Sequence, residues 1–165
     1  MLELMPEAEE LATLLADRQL RVVFAESCTA GLAPALLAAV PGISSHLCGS
    51  FVTYREECKQ AWLGVPAALL DRHTAVSPEV TEAMARLALE RSESADYSAA
   101  ITGHLGPNAP ASVDGVCFLA AARRDPIAGT VITGRKLVLS EPSRLDRQLT
   151  AARMLLAYLA EKIAE

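Results

Sequence analysis

Ser27 lies in a run of small and hydroxyl residues, Glu26-Ser27-Cys28-Thr29-Ala30-Gly31, that leaves an apolar stretch and enters a helix-forming one. A serine on such a turn has backbone N–H groups and the positive end of a helix beside it, which suits a developing oxyanion. A second run, Thr102-Gly103-His104-Leu105-Gly106-Pro107, carries two glycines that let backbone N–H groups approach an anion. Both runs read as loops after the carboxyl ends of strands, where open α/β sheets bind ligands. Each also reads as an ordinary turn, with Ser27 or Thr29 as a plain helix N-cap, and spacing alone leaves that choice open.

A serine nucleophile needs a base. His46 and His73 read as loop residues, and His104 is equally suited to contacting a ligand. Lys59 is the other candidate, five residues after Tyr54 on a helix that starts beside the same sheet edge. A free lysine, with a pKa near ~10.4, is well under about 1% neutral at pH 7. Burial or nearby positive charge must lower that value, at about 1.4 kcal/mol per unit. Otherwise Lys59 is a solvated surface lysine. For the base role, Glu56 and Glu57 are expected to face solvent, with the lysine's face running toward Trp62 and Leu63.

The elements that would position these residues follow from periodicity. Leu4, Ala8, Leu11 and Leu15 predict an amphipathic helix with Pro6 near its start. Strands are predicted at Arg21–Glu26, Ser50–Tyr54, Tyr97–Thr102, Gly115–Ala122 and Thr130–Leu139, the last two as a hairpin across Asp125-Pro126. Helices are predicted from Gly31 to Pro41-Gly42, around Lys59 and Trp62 as far as Gly64, and after Ser77-Pro78-Glu79. In the last of these, N-cap, first-position proline and acidic first turn coincide, and Val80, Met84 and Leu87 share a face. Leu145, Leu149, Ala152, Leu156, Leu159 and Ile163 form the stripe of a final helix. Arg123-Arg124 reads as a loop between strands. Helices alternating with strands give an α/β class, a three-layer α/β/α sandwich with a mixed β-sheet, as one domain over residues 1–165.

Hydrophobic residues make up 52% of the 165 and charged residues 21%, which argues for a packed core and against disorder. A net charge of −5 without clustered Lys/Arg argues against nucleic acid as a partner. No apolar run reaches the ~20 residues of a membrane span, and the acidic N-terminal stretch does not read as a signal peptide, so a cytoplasmic location is expected. Cys28, Cys48, Cys58 and Cys117 show no metal-ligand spacing and read as free thiols in or near the core.

Four ordered segments carry a resemblance: AESCTAGL (Ala25–Leu32), FVTYREECK (Phe51–Lys59), AVSPEVTEAMA (Ala75–Ala85) and TGHLGP (Thr102–Pro107). Together they resemble the CinA C-terminal domain family, the competence/damage-inducible domains. Its members include amidases that hydrolyse nicotinamide mononucleotide to nicotinate mononucleotide and ammonia. The resemblance spans nearly the whole chain and implies an α/β/α fold, a small-molecule nucleotide substrate, no metal or other cofactor, and a homodimer. It implies Ser27 as nucleophile with Tyr54 and Lys59 as its catalytic partners, and Thr29, Gly31, Thr102, Gly103 and Gly106 in the nucleotide site. The family's usual Thr-Gly-Gly is Thr29-Ala30-Gly31 here, which narrows the backbone's φ/ψ choices. The stretch that usually leads to Lys-Pro-Val-Gly is a shorter Asn108–Val116 without the lysine. A usual Gly-Asp-Arg is replaced by Ser140–Arg144, with Arg144 near but out of register and expected to reach the phosphate by a local shift. Losing both cations would remove charge-assisted hydrogen bonds of ~1.5–3 kcal/mol each. A homologue that binds a nucleotide-like ligand or a partner protein without turnover, and an amidase of a less phosphorylated substrate, are the alternatives.

Overall fold

The chain, described by a computed structural model over residues 4–165, is built on a five-stranded sheet. The reading of residues 1–3 as the start of the N-terminal stretch lies outside the described residues. Helix α1 (Pro6–Arg18) begins with proline at its first position, has Glu7 and Glu9 in its first turn and Arg18 in its last, and ends on Gln19 in the left-handed region. Charges so placed complement the helix dipole, while Ala8, Leu11, Ala12 and Leu15 give it a buried face. Leu4 precedes the helix and is exposed, so it does not belong to that face.

Strand β1 (Val22–Glu26) is buried throughout and flanked by parallel neighbours, β2 (Leu47–Val52) and β3 (Tyr97–Gly103). β4 (Val116–Asp125) and β5 (Gly129–Val138) add antiparallel strands, giving the order β2-β1-β3-β4-β5 and the expected mixed sheet. Alternation along the strands separates two cores. Val22, Phe24, Ala99, Ile101, Leu119 and Ala121 face α1, α2 (Leu32–Ala38) and α6 (Arg144–Ala164). Val23, Ala25, Ala100, Ala120 and Ala122 face α5 (Pro78–Arg91) and the segment around Leu63 and Leu70. These are the three α/β/α layers.

Several sequence expectations need correction. β2 runs Leu47–Val52, so Tyr54 lies beyond the strand in the turn before α3 (Glu56–Cys58). Gly49 and Cys48 weaken a period-two signal there, whereas pairing with β1 fixes the true register. Helix α4 (Ala67–His73) was not read from the sequence, and it puts His73 at a helix end rather than in a loop. Arg123 and Arg124 lie inside β4, where they pair with Val131 and Thr130. Arg124 is tied down by hydrogen bonds to the Ala95, Leu89 and Ser92 carbonyls, which is how a strand end accommodates its charge. Leu145, Trp62 and Cys48 are exposed. Leu145 sits in the first turn of α6, before the helix reaches the sheet, and Ala151, Ala152, Leu155 and Leu156 begin its fully buried stretch. All four cysteines are free thiols, with Cys28 and Cys117 buried.

Candidate active site

The strand order 2-1-3 reverses direction between β1 and β3, which makes the crevice past their carboxyl ends a topological switch point. Glu26 is paired with Val52 on one side and Ile101 on the other. Backbone bonds extend this frame past the strands: Ser27 N–H donates to the Ile101 carbonyl (3.1 Å) and Thr53 N–H to the Glu26 carbonyl (2.9 Å). The sheet itself therefore fixes Ser27.

Lys59 arrives from the side. At this residue α3 widens into a single π-helical turn (Lys59–Leu63), closed by Gly64 at φ 83°. Such turns recur at functional sites. The Lys59 side chain is fully buried, and its Nζ donates to Ser27 Oγ (3.0 Å), the Thr53 carbonyl (2.7 Å) and, at 3.4 Å, the Tyr54 carbonyl. Burial pushes the ammonium's pKa below the lysine norm; Cys28, Glu56 and Cys58 act in the opposite direction and do not outweigh it. Glu56 and Glu57 are exposed, as expected. Leu63 is buried beside the lysine's turn while Trp62 is not.

The turn carrying Ser27 is tight. Ala30 N–H donates back to the Ser27 carbonyl (3.1 Å), with Ala30 at φ 54° and Gly31 at φ 94°. Among the described residues, the Cys28 and Thr29 amides donate no hydrogen bond, so both remain available to an oxyanion. Beneath the turn lies Glu26, fully buried, with one oxygen accepting from Ala33 N–H (3.1 Å) at the start of α2. Its other oxygen and the buried Thr29 hydroxyl make no hydrogen bond of normal geometry. Burial raises the Glu26 pKa above the carboxylate norm, and the Thr29 hydroxyl nearby works against that rise without cancelling it.

The third wall is the loop after β3. Gly103 has no room for a side chain: a Cβ would lie 2.4 Å from Cys117 Sγ and 3.1 Å from Cys28 Sγ. Thr102 is fully buried and its hydroxyl is bonded to Thr81 Oγ1 (2.8 Å), so it fastens β3 to α5. Past Gly106 the first turn of α6 comes close. Arg144 donates to the Gly106 carbonyl (2.5 Å) and to the Tyr54 hydroxyl (2.9 Å). Two adjoining cavities open here. One, of about 290 Å³, is lined by Tyr54, Gly103, His104, Gly106 and Arg144; the other, of about 380 Å³, lies between Gly106's loop, Arg144 and Arg147.

The structure thus brings together Ser27, Lys59, Tyr54, Gly103, Gly106 and Arg144. Tyr54 reaches the dyad through its backbone carbonyl, and its half-exposed ring carries the hydroxyl to Arg144 instead. Thr29 and Thr102 lie close by but are buried, and Gly31 serves as the N-cap of α2. Three residues at the site were not singled out from the sequence: Glu26, Arg147 and Gln148, whose Nε2 donates to the Cys28 carbonyl (3.1 Å). Arg147 had a readable signal, since it stands three residues after Arg144 and so shares its helical face. Gln148 and Glu26 had none, because their partners lie 120 and seven residues away.

The comparisons agree with this architecture. A CihA competence/damage-inducible protein from Agrobacterium tumefaciens superposes with a TM-score of 0.88 at 31% identity, covering all of both chains. The competence damage-inducible protein A from Klebsiella pneumoniae also gives 0.88, at 28% identity over 96% of each. Among curated relatives, a CinA-like protein of Mycobacterium avium is 40% identical over 155 residues, 90% of this chain and 35% of its own length. A competence-damage inducible protein of Symbiobacterium thermophilum is 44% identical over 124 residues, 73% of this chain and 28% of its own length. The chain spans about a quarter to a third of the length of such relatives. The sequence profile of the CinA C-terminal domain matches residues 5–163, and the chain belongs to that family.

Proposed function

We propose that the chain is a serine-dependent amidohydrolase that converts nicotinamide mononucleotide to nicotinate mononucleotide and ammonia. The observation that carries this reading is the fully buried Lys59 amine 3.0 Å from Ser27 Oγ. A neutral amine has two N–H donors and one lone pair. The Thr53 and Tyr54 carbonyls accept the two donors, which leaves the lone pair facing Ser27. Ser27 then gives its proton to Lys59 as Oγ bonds to the carboxamide carbon, and the oxyanion is held by the Cys28 and Thr29 amides. Collapse breaks the C–N bond, and ammonia leaves with the proton from Lys59. Water, deprotonated by Lys59, attacks the acyl-serine ester; Ser27 Oγ leaves with the proton that Lys59 took, and the released acid ionises to the carboxylate.

One observation favours the other reading, a nucleotide-binding protein without turnover: Ser27 is only 8% exposed. Ammonia release from the purified chain across a panel of pyridine nucleotide amides separates the two. The amidase reading expects release from the mononucleotide and none from Ser27→Ala, with ligand affinity and melting temperature unchanged in that variant. More than a few percent of wild-type rate in Ser27→Ala removes the nucleophile; tight binding with no ammonia from any amide establishes the alternative.

A further inference from the structure

The two arginines beside the cavities are in different electrical states. Arg144 hydrogen-bonds only neutral oxygens, and no carboxylate lies within ion-pair distance of it among the described residues. Arg147 is held by Asp114 through two parallel bonds, Nη1–Oδ1 at 2.7 Å and Nη2–Oδ2 at 3.0 Å. Its Nε donates to the Glu141 carbonyl (2.8 Å), and Nη1 also lies 3.4 Å from the Leu105 carbonyl. The planar fork is therefore occupied by a carboxylate in the geometry that a phosphate would use. The pair is built into the loop: Gly106, at φ 66°, has the space of its missing Cβ filled by Asp114 Oδ1 at 2.8 Å and Arg147 Nη1 at 2.9 Å. Asp114, Arg144 and Arg147 all line the 380 Å³ cavity.

We propose that Asp114 is a specificity-determining residue that lowers the site's preference for a phosphomonoester dianion, so that dephosphorylated nucleoside amides are accepted alongside mononucleotides. This rests on the amidohydrolase reading above. A phosphate entering the cavity meets one uncommitted cation, Arg144, together with the fixed negative charge of Asp114. To use Arg147 it must displace a two-bond carboxylate. A phosphomonoester carries about −1.5 to −2 at pH 7, so the repulsion falls on it and not on the nucleoside, whose only charge is the positive pyridinium of its nicotinamide ring.

The test compares kcat/KM for nicotinamide mononucleotide and nicotinamide riboside, and calorimetric affinity for inorganic phosphate, in the wild type and Asp114→Asn. The expected result is a rise of about tenfold or more in the nucleotide-to-nucleoside ratio, with phosphate binding tightened by a similar factor. Arg147→Gln is expected to change the ratio little in the wild type and to cancel the gain in the Asp114→Asn background. Should Asp114→Asn fail to fold, Asp114→Ser removes the same charge while keeping one acceptor for Arg147. An unchanged or lowered ratio, with phosphate binding no tighter, overturns the proposal. If no amide yields ammonia, the amidohydrolase reading fails, and the phosphate affinities alone decide the role of Asp114.

Discussion

At the scale of single residues, the site depends on two buried ionisable side chains that burial shifts in opposite senses. Lys59 is displaced toward the neutral amine because desolvation penalises the ammonium more than its neighbours favour it. Its folded pKa lies below that of a free lysine, so the reactive base accumulates as pH rises through the depressed value. The ammonia-release rate is expected to climb with pH through an apparent pKa below the ~10.4 of a free lysine. Lys59→Arg keeps the charge but cannot release the proton near neutral pH, and is expected to be inactive. An active arginine variant would leave Lys59 as an electrostatic group only. Glu26 has its pKa raised, so between about 4.3 and its folded pKa the folded chain binds more protons than the unfolded one. The stability that Glu26 contributes is therefore present below about pH 4.3 and lost as pH rises through the folded value. Glu26→Gln keeps an acceptor for Ala33 N–H and removes the titration. Urea unfolding across a pH series should show this variant gaining on the wild type from about pH 4 toward neutrality. A difference that stays flat with pH would mean that Glu26 titrates as a free carboxyl.

At the scale of elements, the turn between β1 and α2 holds a testable strain. Ala30 is exposed, so a glycine there gives up little buried surface, yet it sits at φ 54°. A left-handed L-residue costs roughly 1–2 kcal/mol, and glycine's extra chain entropy returns about 0.5–1 of that. Ala30→Gly is expected to stabilise the fold by somewhat under about 1 kcal/mol, a rise of ~2–4 °C or less in Tm. A lower Tm would show that the turn is not strained. The sequence carried the elements whose signals are local: Ser77, whose hydroxyl accepts from Val80 N–H, the proline-led α1, and the β4–β5 hairpin, where Asp125 accepts from the Ile127 and Ala128 amides. It misplaced β2, whose register is set by β1 rather than by its own pattern, and missed α4, whose single buried residue, Leu70, leaves no periodicity to read. The π-turn at Lys59 was equally illegible, because an α-helical and a π-helical turn share the same residue preferences over so short a span.

At the scale of the whole molecule, the site is closed by a helix that ends the chain. β1, β2 and β3 deliver Ser27, the Lys59 turn and Gly103 from successive stretches of the chain as far as Gly103. The guanidinium charge at the cavity, however, comes from α6, folded back across the sheet from more than 100 residues after Ser27. That long-range return is why Arg144 could be named from the sequence but its partners could not. A helix N-terminus is the unfavourable end of the dipole for a cation, so Arg144 in the first residue of α6 does nothing for the helix itself. Its place is explained by what it touches, the Gly106 carbonyl and the Tyr54 hydroxyl, at the mouth between the loop after β3 and the turn after β2. Both contacts are with neutral groups, so the guanidinium charge remains available to an entering anion. Arg144→Ala is accordingly expected to leave Tm no lower than the wild type's. It should raise KM for nicotinamide mononucleotide by roughly tenfold or more, the scale of one charge-assisted hydrogen bond, with a far smaller change for the riboside. Steady-state kinetics on the two substrates side by side make the comparison. Equal increases would mean that Arg144 only braces Tyr54 and Gly106 and does not meet the phosphate.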